Sequence, residues 1–175
     1  YHSIPVIFDA YQKGIGNFNA NQALEAMLVS AREDQFGLDS YKTNGYIKAD
    51  LEGESVSKTL EYAYDDWCIA MMAKDLGKDD IYKEFIKRAQ YYKNLFDSST
   101  GFMRAKINGQ WQKPYSPTEV NFHFTEGNSW QYSMFVPQDI NGLIDLHGGD
   151  DAFSKKLDEL FETDMQLTGR HQSDI

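Results

Sequence analysis

From Glu54 to Gly77 the residues Val56, Leu60, Ala63, Trp67, Ala70 and Met71 recur at steps of three and four. That is the 3.6-residue period of an α-helix with one apolar stripe. Most of the stability of such a helix comes from burying its stripe against neighbours, so the rest of the chain must supply partners. The same period supplies them. Asn19 or Asn21 caps a helix expected to run to about Gln35, with Leu24, Met27, Leu28 and Ala31 on one face and Gly37 as its stop. Asp79-Asp80 opens another, carboxylates placed where the helix dipole favours them. Ile81, Tyr82, Phe85, Ile86, Ala89, Tyr92 and Leu95-Phe96 extend its apolar face to the break at Asp97–Gly101. Pro137 is read as the first turn of a helix carrying Ile140, Leu143, Ile144 and His147, stopped by Gly148-Gly149. Asp150-Asp151 begins the next, with Phe153, Leu157, Leu160 and Phe161 expected inward.

These helices come in pairs that echo one another. Asp79-Asp80-Ile81-Tyr82 and Asp150-Asp151-Ala152-Phe153 each follow a helix ending in glycine, so the repeating unit is a helical hairpin. Repeated hairpins bury their faces by stacking on neighbours, in a solenoid or a closed toroid. Elsewhere the period fails. Asp9-Ala10-Tyr11 continues an initial helix, and residues 37–53, with Gly37, Asn44-Gly45 and Gly53, read as a long surface connection whose Tyr41, Tyr46 and Lys48 are the candidates to line a cleft. Asn108-Gly109 between two short runs predicts a β-hairpin near residues 102–113. The end, Thr163 to Ile175, is polar and predicts no closing element.

A chain of 175 residues is one domain's worth and buries a real core. It opens on Tyr1 and reads as a piece of a longer chain. A net charge of −10 argues against nucleic acid, whose phosphates need a basic surface, and fits a neutral ligand or a site for a cation. Cys68 is the only cysteine, which excludes an internal disulfide and a cysteine zinc site. Its neighbours Trp67, Ile69 and Ala70 mark it as a buried thiol. No apolar run approaches the roughly 20 residues of a membrane span.

Chemistry concentrates in Phe122-His123-Phe124-Thr125-Glu126-Gly127-Asn128-Ser129-Trp130-Gln131-Tyr132, with Phe135 just beyond. A carboxylic acid held among rings has its pKa pushed upward, which suits a general acid. Rings beside amide side chains suit a sugar, with its apolar faces and hydroxyl edges. The alternative is that Trp130 and the phenylalanines are core. On the long helix, Glu61 and Asp65 stand four apart, with Tyr62 and Asp66 on the next row. Like charges so placed cost a few tenths of a kcal/mol unless solvent, a cation or a ligand compensates. Solvation is the plainest compensation, and a binding role for Asp65 or Asp66 is the other. The Asp97–Gly101 break lacks the ligand pattern and closing glutamate of a calcium loop.

With these residues assembled, the chain resembles glycoside hydrolase family 92, the calcium-dependent exo-acting α-mannosidases. The resemblance is carried by Pro5 to Gly14, by Glu54-Ser55-Val56-Ser57-Lys58-Thr59-Leu60-Glu61-Tyr62-Ala63-Tyr64-Asp65-Asp66-Trp67 and by Gly101-Phe102-Met103-Arg104. Most specific is Thr125-Glu126-Gly127-Asn128-Ser129-Trp130-Gln131-Tyr132, continued through Phe135-Val136-Pro137 and Gly142-Leu143. The resemblance implies an all-α domain of helical hairpins, residues 1–175 forming about half of an (α/α)6 toroid. An N-terminal β-sandwich and the other half of the toroid are then missing. It implies an inverting enzyme that removes terminal α-linked mannose, with α-1,2 linkages expected, from glycans outside the cytoplasm. Glu126 matches the family's acid, and Asn128, Trp130, Gln131, Asp65 and Asp66 are the expected substrate-binding residues. The general base and the calcium ligands are expected beyond Ile175, so no residue here is assigned to metal. The chain alone is expected to be inactive and to hold no calcium tightly. The rival readings are a helical-repeat domain that binds carbohydrate or protein without catalysis, and another toroidal glycosidase.

Overall fold

The long helix, α4 (Ser55–Asp75), is the axis of the molecule, and the other elements are placed by which of its faces they cover. The computed structural model describes residues 1–169, and helices make up 54% of it, so the predominantly helical expectation holds. In order, α1 (Ser3–Gln12), α2 (Ala20–Arg32) and α3 (Leu38–Asn44) precede α4. After it come α5 (Asp79–Arg88), a 3₁₀ turn (Tyr91–Leu95), and the short strands β1 (Phe96–Asp97), β2 (Phe102–Met103), β3 (Lys106–Ile107), β4 (Gln110–Trp111) and β5 (Glu119–Val120). The chain then runs through α6 (Ser129–Tyr132), α7 (Ile140–His147), α8 (Asp150–Glu162) and β6 (Thr168–Gly169). The pairs β1–β2 and β3–β4 are antiparallel and β5–β6 is parallel.

Three buried clusters meet on α4. Its C-terminal half contributes Cys68, Ile69 and Met72 to a core closed by Ile4 and Phe8 of α1, Leu24, Met27, Leu28 and Ala31 of α2, and Phe85 of α5. Its N-terminal half packs Val56, Leu60 and Ala63 against Tyr92, Leu95, Met103, Phe124, Val136 and Leu143. Between them Tyr62 joins Leu38, Tyr41 and Ile47. A single stripe predicts one covered face, but neighbours on several sides bury most of the helix. Trp67 and Met71, expected within the stripe, are only half-buried.

Several expectations hold closely. Asn19 accepts the Gln22 backbone N–H at 3.2 Å, and the four residues predicted to face inward from α2 are the four it buries. Asn108 and Gly109 take left-handed backbone (φ 48° and 76°) between β3 and β4, as a two-residue hairpin turn requires. Cys68 is buried, and burial pushes its thiol up to about 12.

Others need correction. Residues 37–53 contain α3, which buries Leu38 and Tyr41, so Tyr41 belongs to the core rather than to a cleft. A seven-residue helix is too short for its period to stand out. The helix opened by Asp79-Asp80 ends at Arg88, and the chain reaches Phe96 through the 3₁₀ turn instead. The helix after Pro137 begins at Ile140, because Asp139 caps it by accepting the Gly142 N–H at 3.0 Å. Phe161, expected inward, is 83% exposed, and no residue of α8 is fully buried. The polar end does carry a pairing element, since Thr168 and Gly169 sit beside Glu119 and Val120. Residues 170–175 of that expectation lie outside the described residues.

Candidate active site

The segment from Phe122 to Tyr132 is laid over the N-terminal end of α4. The Glu54 and Val56 backbone N–H groups donate to the carbonyls of Phe122 (2.6 Å) and His123 (3.0 Å). One turn on, the Ser57 hydroxyl accepts the Thr125 N–H at 2.8 Å. The chain next turns sharply. Glu126 has left-handed backbone (φ 46°), which costs a residue with a β-carbon about 1–2 kcal/mol and persists only where the surroundings fix it. They do so on both sides. Asn128 caps α6 by accepting the N–H groups of Trp130 (3.0 Å) and Gln131 (3.4 Å), while Gln131 Oε1 accepts the Asn128 N–H at 3.0 Å. This is a closed capping box.

Beneath the turn, Ser129 and Ser133 are both fully buried and both bond the Met103 backbone. Ser129 donates to its carbonyl at 3.1 Å and Ser133 accepts its N–H at 2.8 Å. Trp130, only 7% exposed, packs edge-on to Phe102 with ring centres 4.7 Å apart, and the Lys156 ammonium caps its face at 4.1 Å.

Glu126 itself is exposed and makes no hydrogen bond or ion pair among the described residues. The rings of the segment therefore do not enclose it, because Phe124 and Trp130 point into the core instead. Asn128 and Gln131 each spend the side-chain oxygen on the cap, so they brace the turn that displays Glu126.

Asp65 and Asp66 have different fates, and solvation explains neither. Asp65 is 1% exposed and lines a cleft of about 310 Å3 with His2, Pro5, Glu61, Tyr64 and Phe135. Burial pushes its carboxyl up to about 6, against the pull of His2, whose Nδ1 stands 3.5 Å away. Contact with Asp65 in turn raises the His2 imidazolium, and burial raises Glu61. Asp66 is fully buried. Its carboxylate accepts from the Tyr1 hydroxyl (2.6 Å), the Tyr41 hydroxyl (2.9 Å) and Arg88 Nε (2.8 Å). That leaves it a support of the fold, shielded from any ligand. Trp130 borders a separate cleft of about 320 Å3 with Glu159, Glu162, Thr163 and Met165. Among the described residues, Asp65 and Trp130 thus line different clefts.

Ser57, Glu61 and Asp65 follow each other at intervals of four, and that spacing is the signal in the sequence that could have singled out this face of α4. Phe135 meets it from the other side, edge-on to Tyr64 at 6.3 Å. Among the described residues, no three His, Cys, Asp or Glu side chains are grouped to hold a metal ion. No helix among them is long and apolar enough to cross a membrane.

The sequence and fold have relatives. Residues 1–174 match the model of the glycosyl hydrolase family 92 catalytic domain. An uncharacterized secreted glycosidase of Arthroderma benhamiae is 31% identical over 209 residues, covering 96% of this chain and 27% of that protein. A family GH92 alpha-mannosidase from Bacteroides thetaiotaomicron superposes with a TM-score of 0.88 at 43% identity, over 94% of this chain and 22% of that one. An inverting mannosidase of the same family and organism gives 0.86 at 38% identity, over 91% of this chain and 23% of that one. The chain therefore spans about a quarter of the length of the relatives it matches. On the strength of a match along nearly its whole length, this chain belongs to glycosyl hydrolase family 92.

Proposed function

We propose that the protein carrying this chain is an inverting α-mannosidase that removes terminal α-linked mannose from glycans, α-1,2 linkages foremost, with Glu126 as general acid. The observation that carries this reading is Glu126 itself: an exposed carboxyl group without a hydrogen bond or ion pair among the described residues, on a strained turn held from both sides. Strain of this kind concentrates at sites of chemistry. Glu126 protonates the glycosidic oxygen as the bond to the anomeric carbon breaks, and a water attacks the opposite face of the sugar. A second carboxylate, roughly 6.5–9.5 Å away in inverting enzymes, takes the proton of that water. In this proposal the base comes from outside the chain. Asp65, in its cleft with Tyr64 and Phe135, accepts a hydroxyl of the bound glycan. Asn128, Trp130, Gln131 and Asp66 contribute by holding their neighbours in place.

The wider setting belongs to the same proposal. Residues 1–175 are part of an (α/α)6 catalytic domain, about half of the toroid, packed against a β-sandwich. The enzyme works outside the cytoplasm. Calcium, a hard cation, needs six to eight oxygen ligands. The described residues group no three His, Cys, Asp or Glu side chains, and in this proposal the ion's ligands come from elsewhere in the parent protein.

Replacing Glu126 with Gln in the full-length protein tests the assignment. Loss of roughly 10²–10⁴-fold in kcat on an α-mannoside is the expected result. A variant turning over at the parent rate would remove Glu126 from the mechanism.

A further inference from the structure

The proton donor needs a fixed direction, and among the described residues Glu126 has no side-chain partner to supply one. Its direction comes from the backbone before and after it. The following residues are held by the capping box of α6. The preceding residue, Thr125, has both of its main-chain polar groups occupied by side chains. Its N–H donates to Ser57 Oγ at 2.8 Å, and its carbonyl accepts from the Tyr132 hydroxyl at 3.0 Å. Ser57 and Tyr132 thus grip the same residue from two sides. Ser57 is fully buried on α4, so its bond ties the turn to the long central helix.

Tyr132 has a second grip on the turn. A β-carbon on Gly127 would stand 3.1 Å from Tyr132 Cε2 and 2.8 Å from Gln131 Oε1, so the chain passes directly under the tyrosine ring. One side chain thus holds the residue before Glu126 by its hydroxyl and crowds the residue after it with its ring.

We propose that Tyr132, with Ser57, is the positioning residue that aims the Glu126 carboxyl at the leaving-group oxygen. Neither touches the sugar, and both act through the Thr125 peptide groups. The inference rests on Glu126 being the proton donor, and the test separates the two claims.

In the full-length protein, Tyr132→Phe keeps the ring above Gly127 and deletes only the hydroxyl. A displacement of about 1 Å in a reacting group costs on the order of 10²-fold, so kcat on an α-linked mannobiose is expected to fall between roughly 10- and 100-fold with KM little changed. Proton donation matters little when the leaving group departs readily as an anion. On 2,4-dinitrophenyl α-mannoside, Tyr132→Phe and Glu126→Gln should therefore both recover most of the parent rate. In the Glu126→Gln background, Tyr132→Phe should cost no further activity on mannobiose. Thermal melting of each variant reports whether it is folded, and Ser57→Ala, where it folds, should repeat the leaving-group pattern. Equal losses on both substrates, or a full further loss in the Glu126→Gln background, would mean that Tyr132 acts on the structure at large and overturn the proposal. An unchanged Tyr132→Phe beside a dead Glu126→Gln sinks the positioning role alone. A Glu126→Gln enzyme active on mannobiose sinks the reading beneath it.

Discussion

Asp65 shows how a single buried carboxyl group ties stability to pH. It is 1% exposed, and burial raises its pKa from 3.8 to about 6. The groups around it are the His2 imidazole, the Glu61 carboxyl group and the neighbouring Asp66, itself pushed up to about 6 by burial against the pull of Arg88. A folded-state pKa above the unfolded one means that the native state binds the proton more tightly. The stability due to neutral Asp65 is whole below pH 4 and is lost as the pH rises through about 6. At pH 7.5 the ionised group costs the native state about 2–3 kcal/mol. Asp65→Asn should raise the melting temperature of the full-length protein at pH 7.5 and leave it unchanged near pH 4. The pH dependence of the melting temperature, parent against variant, checks this. An equal shift at both pH values would mean that something other than titration is responsible.

At the scale of elements, α4 and α5 are joined by more than apolar packing. Arg88, at the last turn of α5, reaches Asp66 on α4 with Nε at 2.8 Å. The same guanidinium donates to the Ala31 carbonyl at 3.3 Å near the end of α2, and lies over the Phe85 ring at 4.5 Å. Three helices are thus pinned through one side chain. Breaking a buried pair by removing one partner leaves the other charge uncompensated and costs about 3–5 kcal/mol. Arg88→Met should destabilise by that amount in denaturant unfolding. Adding Asp66→Asn to it should recover a large part, because the orphaned charge is then gone. Failure of the second change to recover stability would show that the cost lies in lost packing on Phe85 and Tyr41.

For the whole molecule, the relevant fact is that the chain spans about a quarter of its relatives' length. Large apolar side chains stand exposed along three helices: Val6 on α1, Val29 on α2 and Phe161 on α8. Under the proposal that the general base lies outside this chain, an inverting mechanism confined to it has nothing to activate water. The 175-residue chain by itself should therefore hydrolyse no α-mannoside, while the full-length protein should do so and lose that activity to a calcium chelator. Release of mannose, measured on both, checks each half. Turnover by the isolated chain would place the base within it, and chelator-insensitive turnover by the whole protein would remove calcium from the proposal.

The amino-acid sequence determines the local elements whose cause is local. The inward face of α2, the Asn19 cap and the Asn108-Gly109 hairpin follow from period, capping chemistry and turn chemistry. So do the starts of the two helices that open on paired aspartates. Glu126 is legible as a candidate because the motif around it is dense in functional groups. Only tertiary structure decides what depends on distant partners. Asp65 and Asp66 are neighbours on one helix, yet one lines a cleft beside His2 and the other is sealed by Tyr1, Tyr41 and Arg88, residues far apart in the chain. The cause of the Glu126 turn is likewise divided. Its cap and the Tyr132 bond to Thr125 are local, but the Ser57 grip on Thr125 exists only once the turn has met α4. A hydrogen bond across 68 residues leaves no periodicity to read, because its geometry is set by packing and not by the order of the chain.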